Sequence, residues 1–248
     1  MSGDGARRGY AREALFAELI NDNSEFRKIL TDGLNDLDLI RGEVISAQDV
    51  KRNSCKSDVI LEVRETYNSY EMGCSLKAAA ANFNQLDRRW LSDWEGVLEM
   101  PQEVIDSIQS SLDRKRIRSR DVFISPDQES LVLPFIEDNL ELILLELFTR
   151  DDENLNVFVT YDENRDIWTI ARIDDLINVL LREPISTSGS GVVYIGDCLT
   201  LQRKGGDGNI THVPKTSPMH PSNHLQFKIK PLTIINKVHS IPLVPRNN

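Results

Sequence analysis

Asp58, Ser75 and Lys77 stand in the pattern D-x(16)-S-x-K, with Leu76 between the last two. A carboxylate, a hydroxyl and an ammonium brought together in this way are parts of a metal-dependent phosphodiesterase. The carboxylate holds Mg²⁺, the ion activates water and stabilises charge on the phosphorane, and the lysine orients the nucleophile or neutralises developing charge. The spacing alone has low specificity, because half-buried strands often begin with Asp and end with Lys. A second constellation is Asn82-Phe83-Asn84-Gln85. Asn82 and Gln85 can form a capping box at a helix start, or the amides can read base edges there. The third is Gln202-Arg203-Lys204-Gly205-Gly206-Asp207-Gly208, which reads either as a polar hairpin tip or as donors and acceptors able to approach DNA closely beside flexible glycines.

Periodicity supplies the elements that must position these groups. Tyr10 to Asn21 places Ala11, Leu15 and Leu19 on one helical face, with Glu13 off that stripe. A second helix is expected over 24–34. Ser57 to Val63 and Met72 to Lys77 read as paired strands joined by the turn ETYNSYE, with Ser75 and Lys77 on one face. From Asn82 the residues Phe83, Leu86, Trp90, Trp94 and Val97 recur at helical spacing up to Pro101. Ser125-Pro126-Asp127-Gln128 marks another helix start, which Pro134 should bend or end, before a Leu-rich helix from about Asn139 to Phe148. Val157–Tyr161 and Ile167–Ile170 form a hairpin, Ile173 to Leu181 a short helix, and Leu199–Lys204 and Leu225–Lys230 further strands.

The chain has 248 residues and a formal net charge of −10, unevenly spread. From Leu199 onward seven Lys or Arg face one acid, Asp207, which leaves 22 basic against 38 acidic residues in the rest. A second basic knot comprises Arg114, Lys115, Arg116, Arg118 and Arg120. Two such clusters on an acidic body direct attention to a polyanion. No apolar run approaches the ~18 residues of a membrane span, so a soluble chain with no membrane partner is expected. Cys55, Cys74 and Cys198 are odd in number and widely spaced, which argues against a disulfide framework or a zinc site and for a reducing cytoplasm.

Several segments together resemble the small Type II restriction endonucleases of the MspI structural group, and most closely its GCGC-cutting member. They are GYARE near the start, KSDV at Lys56 to Val59, S-L-K followed by FNQLDRRWL at Phe83 to Leu91, the QRKGGD segment, and LQFKIKP at Leu225 to Pro231. The order holds from end to end, and QRKGGD with a following LQFK is the most specific part.

The resemblance implies an α/β PD-(D/E)xK nuclease fold, a mixed central sheet flanked by helices, with Mg²⁺ as cofactor and double-stranded DNA cut at a short GC-containing site. It implies one nuclease domain over 1–248, with a catalytic core at 1–110, a helical and hairpin insertion at 111–185 and a basic DNA-recognition part at 186–248. Carried over by position, Asp58 is the metal-binding aspartate and Lys77 the catalytic lysine. Ser75 takes the place of the usual second acid, with the Leu76 carbonyl completing the metal shell. Glu13 matches an acid on the first helix that steers a water or a second metal. Asn84, Gln85, Gln202, Arg203, Lys204 and Asp207 fall to base reading, and Lys215, Lys228 and the basic knot to phosphates. The implied functional partner is a cognate DNA methyltransferase, and the chain acts as a monomer or homodimer. Two rival readings stand beside this one: a structure-specific repair nuclease, and a DNA-binding protein whose nuclease site has decayed, with Ser75 as the sign of decay.

Overall fold

The structure, a computed structural model, describes residues 3–50, 56–79, 82–150, 152–205, 212–214 and 216–244. Cys55, Asp207 and Lys215, singled out above, lie outside the described residues.

Helix α1 (Gly3–Asp22) buries Phe16, Ala17 and Ile20 along one side. The Asn23 side chain accepts from the Phe26 amide at 2.9 Å and so caps α2 (Ser24–Asp36). Three strands follow, β1 (Glu43–Asp49), β2 (Val59–Arg64) and β3 (Ser69–Ala78), then β4 (Asn84–Arg89). The helices α3 (Leu91–Leu98), α4 (Gln102–Ile117), α5 (Pro126–Asp138) and α6 (Leu140–Thr149) come next. The hairpin β5 (Leu155–Asp162) and β6 (Ile167–Arg172) leads into α7 (Ile173–Leu180). Strands β7 (Ile185–Thr187), β8 (Val193–Ile195), β9 (Leu199–Arg203) and β10 (Leu225–Ile229) precede α8 (Pro231–Ile235) and β11 (Ser240–Leu243).

One expectation is corrected and another is narrowed. The segment read as a helix from Asn82 is strand β4 up to Arg89, and helix begins only at Leu91, where Asp93 accepts from the Trp90 amide at 2.9 Å. Pairing of β4 with β10 outweighs the helical spacing of its few apolar residues. Pro134 does not end α5, which runs on to Asp138. Pro134 and Ser130, whose carbonyl loses its partner there, are both exposed, so water can hydrate the freed group.

The residues divide into two compact units. The first comprises Met1–Asn82, Phe148–Val179 and Lys230–Asn248. Its six-stranded sheet has the order β1-β2-β3-β5-β6-β11, antiparallel throughout except for the parallel pair β3 and β5. The β5–β6 hairpin, grouped by sequence with the helices of 111–185, pairs into this sheet beside β3. Its Val157-Phe158-Val159 run is buried on both faces, as an inner strand requires. Helices α1 and α2 close one face over Val59, Leu61, Val63 and Cys74, with Phe16 against Trp168 at a centroid separation of 4.7 Å.

The second unit comprises Phe83–Leu147 and Leu180–Ile229. Its sheet has the order β4-β10-β9-β8-β7, antiparallel at every step. Leu199, Leu201, Leu225, Phe227 and Ile229 fill its apolar side, where Trp94 of α3 meets Phe227 at 5.2 Å. Among the described residues no helix is long and apolar enough to cross a membrane.

Candidate active site and nucleic-acid interface

In the first unit, β2 and β3 are antiparallel with Val59 opposite Cys74. One step further, Asp58 stands beside Ser75, and the alternation of the pleat turns both away from the Val59 and Cys74 side. The Asp58 amide donates to Cys74 O at 2.8 Å and so continues the ladder. Asp58 Oδ2 accepts from the Leu76 amide at 2.6 Å and from Lys77 Nζ at 3.0 Å, with Ser75 Oγ at 3.5 Å. Lys77 Nζ also donates to Leu76 O at 3.1 Å. Asp58, Ser75, Leu76 and Lys77 are thus brought together as expected from the sequence.

Glu13, on α1, joins them electrostatically. Burial, then the charge of Asp58, push its carboxyl up to about 7; Lys77 works the other way and Asp49 adds a further rise. Asp49, the last residue of β1, is an acid that sequence reading missed. Its only signal was the strand EVISAQD, which ends on a carboxylate. Asp152 was missed too, and 95 positions of sequence separate it from the residue it holds: its Oδ2 accepts from Ser57 N at 2.8 Å and Ser57 Oγ at 2.6 Å, fixing the residue before Asp58.

The donor set suits a hard cation. Asp58 Oδ2 and Leu76 O already converge on one positive group, the Lys77 ammonium, within 3.1 Å. Among the described residues no three His, Cys, Asp or Glu side chains gather as a metal cluster. An ion that keeps most of its waters and takes one or two carboxylates, as Mg²⁺ does, fits such a site; a fully protein-caged ion does not. The Cys74 thiol is no nucleophile here, since burial and then Asp58 raise its pKa.

In the second unit, register sorts the proposed DNA-contacting residues by face. Lys228 pairs with Gln85 and Thr200, and Gln226 with Arg88 and Gln202. Lys204 N donates to His224 O at 2.8 Å, which extends the β9–β10 ladder by a step. Gln85, Gln202, Lys204 and Lys228 therefore share one polar face with Arg88, His224 and Gln226. Charge is concentrated there: burial and then Arg88 lower the Lys204 pKa, and burial, Arg88 and Lys204 lower that of His224 against a rise from Pro221 O. Arg88 and Gln226 were not singled out from sequence, although alternation along LQFKIKP already set Gln226 beside Lys228.

Asn84 and Arg203 go to the opposite face, opposite Ile229 and Leu225 respectively. Arg203 is only 8% exposed, and its guanidinium donates to Ser222 Oγ at 2.9 Å and to Asn223 Oδ1 at 2.8 and 3.1 Å. Much of the basic knot is likewise engaged internally. Arg114 donates to Phe123 O at 2.9 Å and Gln128 Oε1 at 2.8 Å, Lys115 to Asp121 O at 2.6 Å, and Arg116 to Asp113 and Thr216 O. Arg118 and Arg120 are the exposed members.

In sequence, neither a family model nor a curated protein matches this chain. In structure it is similar to the restriction endonuclease MspI, solved in complex with its cognate DNA. The TM-score is 0.58 at 13% identity, over 88% of this chain and 87% of that one. A likeness at this identity is one of fold, and it does not single out the GCGC-cutting member to which the motifs pointed. With its mixed sheet flanked by helices, the chain has a restriction-endonuclease-like fold.

Proposed function

We propose that the chain is a Type II site-specific deoxyribonuclease, a Mg²⁺-dependent hydrolase that cuts double-stranded DNA at a short GC-containing site. It would act in the cytoplasm beside a methyltransferase that protects the host's own sites. The observation that carries this reading is the meeting of Asp58, Leu76 O and Lys77 at one point, with Glu13 coupled to it, in a fold shared with a nuclease solved on DNA.

Asp58 and the Leu76 carbonyl would hold the ion, with Ser75 adding a neutral oxygen. When bound, Mg²⁺ supplies Lewis acidity toward the scissile phosphate and lowers the pKa of the attacking water. Lys77 neutralises charge that develops on the phosphoryl oxygens. Glu13 accepts a proton from the attacking water or positions it. In the second unit, Gln85 and Gln202 read base edges while Lys204 and Lys228 neutralise phosphates.

Digestion of one long DNA in Mg²⁺, with the fragment ends sequenced, tests the reading. Discrete bands with a common end sequence are expected. Nicks confined to branched or mismatched DNA would make the chain a structure-specific repair nuclease. Retained binding with no cleavage would make it a DNA-binding protein with a decayed site, the reading that serine at position 75 favours.

A further inference from the structure

We propose that Gln226 is a positioning residue for base reading: it holds the Gln85 carboxamide with its NH₂ outward, so that Gln85 selects a base edge presenting acceptors. This rests on the sequence-specific DNA reading above and names the base chemistry required at one position of the site.

Gln226 lies on β10 and is only 6% exposed, whereas Gln85 is exposed on the edge strand β4. Gln226 Nε2 donates to Gln85 Oε1 at 2.8 Å. A register shift in β10–β4 between Phe227 and Lys228 sets Gln85 opposite Lys228 and Arg88 opposite Gln226. Gln226 therefore has a cation across from it, and Lys204 and His224 belong to the next row. Positive surroundings favour the carbonyl end of the Gln226 amide, which leaves its NH₂ for Gln85. The Gln85 carbonyl is thereby held toward the buried Gln226, with one of its lone pairs engaged. Among the described residues no acceptor takes the Gln85 NH₂.

A free glutamine reads adenine bidentately, accepting from N6 and donating to N7. With its oxygen turned inward onto Gln226, Gln85 cannot set carbonyl and NH₂ side by side against N6 and N7, and it presents its donors outward. In the major groove guanine offers two adjacent acceptors, N7 and O6, thymine offers O4, and cytosine offers only the N4 donor. The expected order at this position is guanine first and cytosine last.

The test is equilibrium binding of the full chain, in Ca²⁺, to duplexes carrying every single-base substitution of the site. It compares the wild type with Gln226→Leu, Gln226→Glu and Gln85→Ala. The wild type should prefer guanine to cytosine at one position by about tenfold or more. Gln226→Leu should collapse that ratio at the position affected by Gln85→Ala, and leave the other positions within about twofold. Gln226→Glu is nearly isosteric and carries the test if the leucine variant does not fold. Its carboxylate only accepts, so it takes the Gln85 NH₂, turns the carbonyl outward and moves the preference toward cytosine. A purely structural residue would not invert a base preference.

Unchanged base preferences in a folded Gln226→Glu protein, or a change at a position other than that of Gln85→Ala, would overturn the inference and leave the endonuclease reading intact. A wild type that binds all duplexes alike would remove both.

Discussion

At the scale of the residue, one carboxylate oxygen organises the candidate centre. Asp58 Oδ2 receives the Leu76 amide and the Lys77 ammonium. Asp58→Ala should abolish cleavage, and Lys77→Ala should lower its rate by ~10²–10⁴ while DNA binding persists; cleavage near the wild-type rate by either variant would refute the assignment. Ser75→Ala should keep measurable activity, because the serine contributes no charge, and Ser75→Glu should change the metal preference by adding a hard oxygen ligand. Glu13 gives a pH signature. Its carboxyl is raised from 4.5 to about 7, so the folded, metal-free chain binds that proton more tightly than the unfolded chain. The resulting stability is full below about pH 4.5 and is lost as pH rises through about 7. Thermal melts without metal should therefore show Glu13→Gln more stable than wild type at pH 8, with the gap closing toward pH 5. A gap of constant size across that range would show that Glu13 titrates as an ordinary carboxyl.

At the scale of the element, strand register decides which side chains a partner can meet. Because Arg203 stands opposite Leu225 rather than Gln226, its guanidinium ties β9 to Ser222 and Asn223. Arg203→Ala leaves buried partners unsatisfied and should cost ~1–3 kcal/mol of stability in denaturant titration. Its effect on cognate and random DNA should be equal, whereas a loss confined to cognate DNA would restore it to base reading. At the other sheet, Gly73 permits the close packing that sets Asp58. A Cβ there would lie 2.0 Å from Ser57 Oγ and 3.1 Å from Leu155 Cα. Gly73→Ala should displace Ser57 from Asp152, lower the melting temperature and depress cleavage together.

At the scale of the whole molecule, an acidic chain can bind a polyanion because its cations are concentrated locally. Lys204, Lys228 and Arg88 share one face of the second unit's sheet with Gln85, Gln202 and Gln226. Lys228→Ala should weaken cognate and random duplexes alike and flatten the salt dependence of binding by about one ion. Binding measured at several salt concentrations in Ca²⁺ checks this. A change in base preference instead would assign Lys228 to reading.

Where contacts are local, the sequence was enough. The β2–β3 hairpin has a short turn, so alternation alone set Asp58 beside Ser75 and Lys77, and the helix opening after Ser125 was legible in its cap, where Ser125 N donates to Gln128 Oε1 at 3.1 Å. The basic bias of the last fifth was legible in composition. Tertiary structure decided the rest. Asn84–Arg89 became a strand because β10, some 140 residues away, offers a ladder, as the Gln226–Gln85 pair at a separation of 141 marks. The internal use of Arg203, the coupling of Glu13 to Asp49 and Asp58, and the grip of Asp152 on Ser57 all depend on segments separated in sequence. Residue type and periodicity determine what a side chain can do and which way a strand alternates. Its partners, and so its burial, charge and role, are set only when distant strands settle into register.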